Sequence, residues 1–132
     1  MDFKITTGNF ANVNKYRRAG YHKVSIALSS RYYTGDRFKP LMPDWKYMQA
    51  EQEEYTRQFN NGLKKLDARK IGNELHLLSQ GKNVVLLCHE KEGDFCHRQL
   101  VAKWLEKELK IKVEELGRMG GKTSKPIQFS LF

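Results

Sequence analysis

Asn83-Val84-Val85-Leu86-Leu87-Cys88-His89-Glu90-Lys91-Glu92-Gly93-Asp94-Phe95-Cys96-His97-Arg98 is the stretch on which the fold turns. Its opening is aliphatic at successive positions, so both faces of the strand it predicts would be apolar, as in a parallel sheet covered by helices on each side. Residues 88–93 read as the loop leaving that strand, and Asp94 as the N-cap of a helix. Leu100, Val101, Trp104, Leu105 and Leu109 mark the buried side of that helix.

Upstream, residues 3–6 predict a first strand, Thr7-Gly8-Asn9 a loop, and residues 13–19 a short helix stopped at Gly20. Residues 22–28 alternate Val24, Ile26 and Leu28 with polar neighbours and predict a second strand. Gly35, Pro40 and Pro43 break residues 32–44 into a loop long enough to carry function. Asp44 is placed to cap a helix from Trp45, whose apolar positions run through Tyr55 and Phe59 until Asn60-Asn61-Gly62 interrupts. Residues 63–78 predict more helix, and residues 111–116 a last short strand. Strands alternating with helices imply a single α/β domain over residues 1–117, three-layered around a small, mainly parallel sheet. Residues 118–132 form a basic, flexible tail.

The composition narrows the function classes. The chain has 132 residues and a net charge of +9, with eight Lys or Arg against two acids in residues 1–42 and no acid after Glu115. Such a balance favours a polyanionic partner, DNA or a nucleotide-like ligand, although a solubilising surface gives the same count. No apolar run is long enough to span a membrane, and the basic-then-apolar order of a secretion signal is missing, so a cytoplasmic protein is expected. Cys88 and Cys96 are expected as free thiols.

The segment from Cys88 to Arg98 concentrates thiols, imidazoles, acids and a guanidinium where a buried strand hands over to a helix, the usual ligand position in open α/β sheets. Cys88, Glu90, Cys96 and His97 are the candidate catalytic residues, and Arg98 a candidate anion grip. Thr7 and Arg31, near the ends of the first and second strands, are further candidate anion contacts. A thiol nucleophile on the phosphatase or rhodanese plan needs an Arg where Asp94 stands after Cys88, which disfavours that chemistry. A zinc site could draw on Cys88, Cys96 and either His89 or His97, with Glu90 as general base. Its spacing fits no common structural zinc pattern and a fourth ligand is lacking, so no metal is assigned and the cofactor is left open. Taken singly, each thiol reads equally as a small buried hydrophobe.

Leu86-Leu87-Cys88-His89-Glu90 through Asp94-Phe95-Cys96-His97-Arg98, followed by Leu100-Val101-Ala102-Lys103-Trp104-Leu105, resembles the signature of the DUF488 family. The likeness extends to residues 6–11, to residues 24–27, and to Gly35 with Leu41-Met42-Pro43 before Trp45. It implies a Rossmann-like α/β domain and transfers the Cys, Glu and Cys-His-Arg motif without a reaction. Many members carry Asp-Val-Arg at the end of the second strand. Here that region reads Ala27-Leu28-Ser29-Ser30-Arg31, so the acid is missing.

Gln128-Phe129-Ser130-Leu131-Phe132 is similar to the pentapeptide with which bacterial replication and repair proteins dock on the DNA sliding clamp. In that likeness Gln128 sets the register while Leu131 and Phe132 fill an apolar cleft, in a bacterial or phage setting. The alternative is that these apolar residues fold back on the domain. Together the features point to a nucleic-acid or nucleotide-processing enzyme recruited to the clamp, with a non-catalytic adaptor for nucleic acid or a phosphorylated ligand as the alternative.

Overall fold

The computed structural model of the chain describes residues 2–90 and 94–117. β1 (Ile5–Asn9) is followed by a 3-10 turn and α1 (Val13–Arg18), then β2 (His22–Ser25) and the two-residue β3 (Asp36–Arg37). α2 (Gln52–Lys64) and α3 (Ala68–Leu78) lead to β4 (Val84–Cys88), and α4 (His97–Leu109) completes the set. The strands form one sheet in the order β1-β4-β2-β3, every pairing parallel. The decisive strand is therefore internal, as its double-sided apolarity requires, and the α/β expectation holds with a sheet that is wholly parallel.

β4 divides its side chains between two layers. Val84, Leu86 and Cys88 join Ile5, Val24 and Ile26 against residues of α2, α3 and α4, including Phe59, Leu75 and Leu105. Val85 and Leu87 point the other way, onto Tyr16 of α1 and Leu116. All five residues of β4 are at most 1% exposed. At ~1.5–3 kcal/mol for each buried aliphatic side chain, this strand alone contributes several kcal/mol from both faces. Helices thus cover the sheet on two sides, giving the three layers.

Several boundaries differ from the sequence expectations, each for a physical reason. Thr7-Gly8-Asn9 is strand rather than loop. Its segment pairs with Leu86, Leu87 and Cys88 on one side, and on the other Thr7 N–H donates to Glu114 O while Leu116 N–H donates to Thr7 O. The last expected strand, residues 111–116, reduces to one parallel bridge, between Glu115 and Thr7. The Asn60-Asn61-Gly62 break does not occur, because Phe59 and Leu63 lie one turn apart and both are buried. Their burial outweighs the ~1 kcal/mol that a helical glycine costs. Asp44 caps only a 3-10 turn, Trp45–Tyr47, by accepting from Lys46 N–H, and α2 starts later. Asp67 begins α3 by accepting from Arg69 and Lys70 N–H. The N-cap of α4 is Cys96, two residues past Asp94, so the thiol itself occupies the helix start.

Among the described residues no helix is long and apolar enough to cross a membrane. The tail from residue 118 onward, with Gln128, Leu131 and Phe132, lies outside the described residues.

Gly8 is required by close packing. A Cβ there would stand 2.5 Å from Tyr16 Cε2, and that ring is fully buried while its hydroxyl donates to Gly117 O at 2.5 Å. Gly8→Ala should therefore cost about 1–3 kcal/mol through overpacking, read as a lower urea midpoint with an unchanged slope. An unchanged midpoint would mean that the Tyr16 ring moves aside freely.

Candidate functional site

Parallel strands leave carbonyl groups facing outward at their carboxyl ends, and here two imidazoles answer them. His97 Nε2 lies 2.6 Å from Ile26 O, just past the end of β2, and so carries a proton that it donates to that carbonyl. His89 Nε2 makes the matching contact to Ser29 O. With Nε2 committed, His97 turns Nδ1 toward Cys96 Sγ at 3.6 Å, while Cys88 Sγ stands 3.7 Å from both ring nitrogens. Phe59 packs edge-on against the His97 ring and holds that orientation.

Cys88 is the last residue of β4 and Cys96 the N-cap of α4, so topology brings together two sulfurs eight positions apart in sequence. Both are free and buried. Gln99 Oε1 accepts from Cys96 N–H at 3.4 Å, securing the first helical turn. Burial alone would raise the Cys96 thiol. Hydrogen bonds from Cys88 and His97, with the positive charges of His97 and Arg98, outweigh it and hold Cys96 well below the usual thiol range. Cys88 is pushed the opposite way, by burial first and then by its hydrogen bond to, and the charge of, Cys96. The pair therefore shares one proton, kept on Cys88.

The cluster opens onto a pocket of about 380 Å³. Ala27, Leu28 and Ser29 form one wall, Pro43, Trp45 and Met48 a second, and Tyr55 and Phe95 a third, with Cys88, His89, Glu90, Cys96 and His97 at the polar end. The Glu90 carboxyl is raised by partial burial and by the negative charge of Cys96. The Tyr55 hydroxyl is also raised, by burial and then by Cys96, and so stays a donor.

Cys88, Glu90, Cys96 and His97 are thus gathered at one pocket, but the anion contacts expected beside them are not. Arg98 is 0% exposed and grips Glu115 side-on, Nε to Oε1 and Nη2 to Oε2 each at 3.2 Å. Its helical position turns it inward beneath the sulfurs, where it supplies positive potential instead of touching a ligand. Thr7 is 1% exposed within β1, pinned by its ladder, and does not line the pocket. Arg31 is exposed and sits 5.6 Å over the Tyr32 ring, in a neighbouring cleft of about 450 Å³. That cleft is lined by Phe10, Lys23, Tyr32 and Tyr33, and among the described residues it shares only His89 with the sulfur pocket.

Tyr55, Trp45, Met48 and His89 belong to the site although sequence periodicity assigned Tyr55 and Met48 to a helix core and gave Trp45 only the start of that helix. A weak signal existed for Trp45, which is 69% exposed, because a large aromatic beside a Pro-rich loop has little packing to do there.

Breaking the Arg98–Glu115 pair should be severe, since it removes one partner of a fully buried ion pair. Glu115→Ala should lower stability by about 3–5 kcal/mol in urea unfolding. A loss below about 1 kcal/mol would show that Arg98 is satisfied without that carboxylate.

A family model described as the active DUF488-N3 subclade matches residues 31–109. No curated protein and no solved structure matches the chain.

Proposed function

This chain belongs to the DUF488 family, and from that footing we propose that it is an enzyme that processes nucleotides or nucleic acid in the pocket formed by Cys88, Glu90, Cys96 and His97. The observation that carries this reading is the convergence of those four side chains on one cavity at the carboxyl end of the sheet. Their proton affinities are driven in different directions, Cys96 down, Cys88 and Glu90 up, which is the pattern of groups arranged for proton movement. Glu90, exposed at the rim, is the proton carrier, and Tyr55 donates a hydrogen bond to developing negative charge. The subclade's description as active fits an enzyme.

The cleft across His89 supports the nucleic-acid part. Arg31 lies over Tyr32, while Lys23 and Arg37 lie over Tyr33 at 5.4 and 5.5 Å. Tyr32 is 88% exposed, and among the described residues no carboxylate lines the cleft. Exposed rings beside cations suit bases that stack and phosphates that pair, as in single-stranded nucleic acid. In this reading Arg31 is the anion contact, next to the chemistry rather than within it. The tail, through Gln128, Leu131 and Phe132, delivers the enzyme to the DNA sliding clamp.

Binding of a labelled single-stranded DNA should fall steeply between low and physiological salt. Tyr32→Ala should weaken it by about 1–3 kcal/mol, roughly 5- to 150-fold. Salt-insensitive binding, or a Tyr32→Ala protein that binds as well as the parent, would remove the nucleic-acid assignment. For the tail, full-length protein should retain bacterial sliding clamp in a pull-down while a chain ending at Ile127 should not. Equal recovery by both would falsify clamp docking.

A further inference from the structure

The sequence offered two histidines as partners for the sulfurs and no fourth ligand. The folded arrangement selects one histidine and changes the meaning of the missing position. His89 is spent on Ser29 O and packs tilted against the Phe10 ring at 4.8 Å, facing the neighbouring cleft. His97 presents Nδ1 to Cys96 Sγ, with Cys88 Sγ equally near both ring nitrogens, while Nε2 donates to Ile26 O. A ring nitrogen aimed at soft donors, with the opposite N–H fixed on a backbone carbonyl, is the orientation that metal-binding histidines require.

The distances agree. Metal–sulfur bonds of ~2.3 Å and metal–nitrogen bonds of ~2.0–2.1 Å at tetrahedral angles put sulfur and nitrogen about 3.5–3.6 Å apart. Cys96 Sγ stands 3.6 Å from Nδ1, and Cys88 Sγ, 3.7 Å from either ring nitrogen, reaches the shared position by rotating its side chain toward Nδ1. One donor atom from each of the three residues lies within 4.8 Å of the others, so the remaining sulfur–sulfur edge needs to close by no more than about 1 Å to reach its tetrahedral length of about 3.8 Å. All three residues are buried, which excludes competing water from three corners, and the pocket meets the cluster on its remaining side.

We propose that Cys88 Sγ, Cys96 Sγ and His97 Nδ1 form three corners of a tetrahedral site for a soft divalent cation, zinc by donor set, whose fourth corner opens into the pocket. Three protein ligands with an open corner make a catalytic rather than a structural site, which accounts for the missing fourth ligand. Water at that corner loses its proton to Glu90, its oxygen bonds to the electrophilic carbon or phosphorus of the substrate, and the departing group takes the proton from Glu90. The inference rests on the pocket being the working site, and it gives the sulfurs the role of ligands.

Cobalt(II) is the probe, because thiolate ligation produces a sulfur-to-metal charge-transfer band and tetrahedral geometry intensifies the visible bands. Full-length protein, reduced and freed of metal, should take up cobalt with both signatures, and zinc should displace it. Cys88→Ser and Cys96→Ser should each lose roughly half of the charge-transfer intensity, one sulfur of two. Circular dichroism confirms that each variant is folded, and a Cys88→Ala, Cys96→Ala protein that refolds should show no band at all. Cobalt held only by surface histidines gives no charge-transfer band and overturns the site, as does a band unchanged in either serine variant. The absorption is read without substrate. Failure to bind cobalt in a protein that still binds single-stranded DNA overturns the metal alone, whereas the thiolate band in a protein that binds no nucleic acid upholds the metal and removes the substrate class.

Discussion

The buried ion pair between Arg98 and Glu115 is the constraint to which the rest of the structure answers. At 3.2 Å and an effective dielectric near 20, the attraction is worth about 5 kcal/mol, comparable with the several kcal/mol needed to take both ions out of water. The pair therefore adds little net stability, yet removing either partner of it is costly. Its consequence is positional. Arg98 stands in the first turn of α4, and Glu115 lies on the extended segment that bridges to Thr7 of β1. Satisfying one charge with the other fixes the start of α4 against the edge of the sheet, and with it the placement of Cys96 and His97.

That anchoring explains why a motif of adjacent residues divides into different jobs. Cys96, His97 and Arg98 are consecutive, but successive positions on a helix start point about a third of a turn apart. Cys96, as N-cap, faces the pocket mouth. His97 reaches across to Ile26, and Arg98 points inward to Glu115. Its guanidinium then acts through space, helping to lower Cys96 and partly opposing the rise of Cys88. Arg31, by contrast, is exposed at the surface, on a different loop.

What the sequence made legible follows from which interactions are local. The run Val84-Val85-Leu86-Leu87 announces a double-sided strand because both faces are aliphatic, and its central place in the sheet follows directly. The gathering of Cys88, Glu90, Cys96 and His97 was readable because they bracket one strand-to-helix corner. The inward turn of Arg98 was not, since its partner is 17 positions away on a segment with little regular structure. Thr7 reads as loop because Thr-Gly-Asn is turn chemistry, and only the ladders on both sides of it in the fold make it strand. Tyr55 has the helical spacing of a core residue and is one on the evidence of its burial, yet its hydroxyl end reaches the pocket. Periodicity reports which face is inward and is silent on what an amphipathic tip touches.

The sheet's own chemistry selects the ligating nitrogen. A parallel strand ends with carbonyls that lack ladder partners, and a buried carbonyl without a donor costs about 1–3 kcal/mol. Ile26 O meets that requirement with His97 Nε2–H, so the tautomer is fixed by the needs of the fold. Nδ1 is then left facing Cys96 Sγ, with Phe59 packed edge-on against the ring. A glutamine in place of His97 could still satisfy Ile26, but it would bring no second nitrogen to the sulfurs. The requirement for a histidine, as opposed to any hydrogen-bond donor, therefore comes from the Cys88–Cys96 side of the ring. On that side the interaction belongs to the site and no longer to the stability of the sheet.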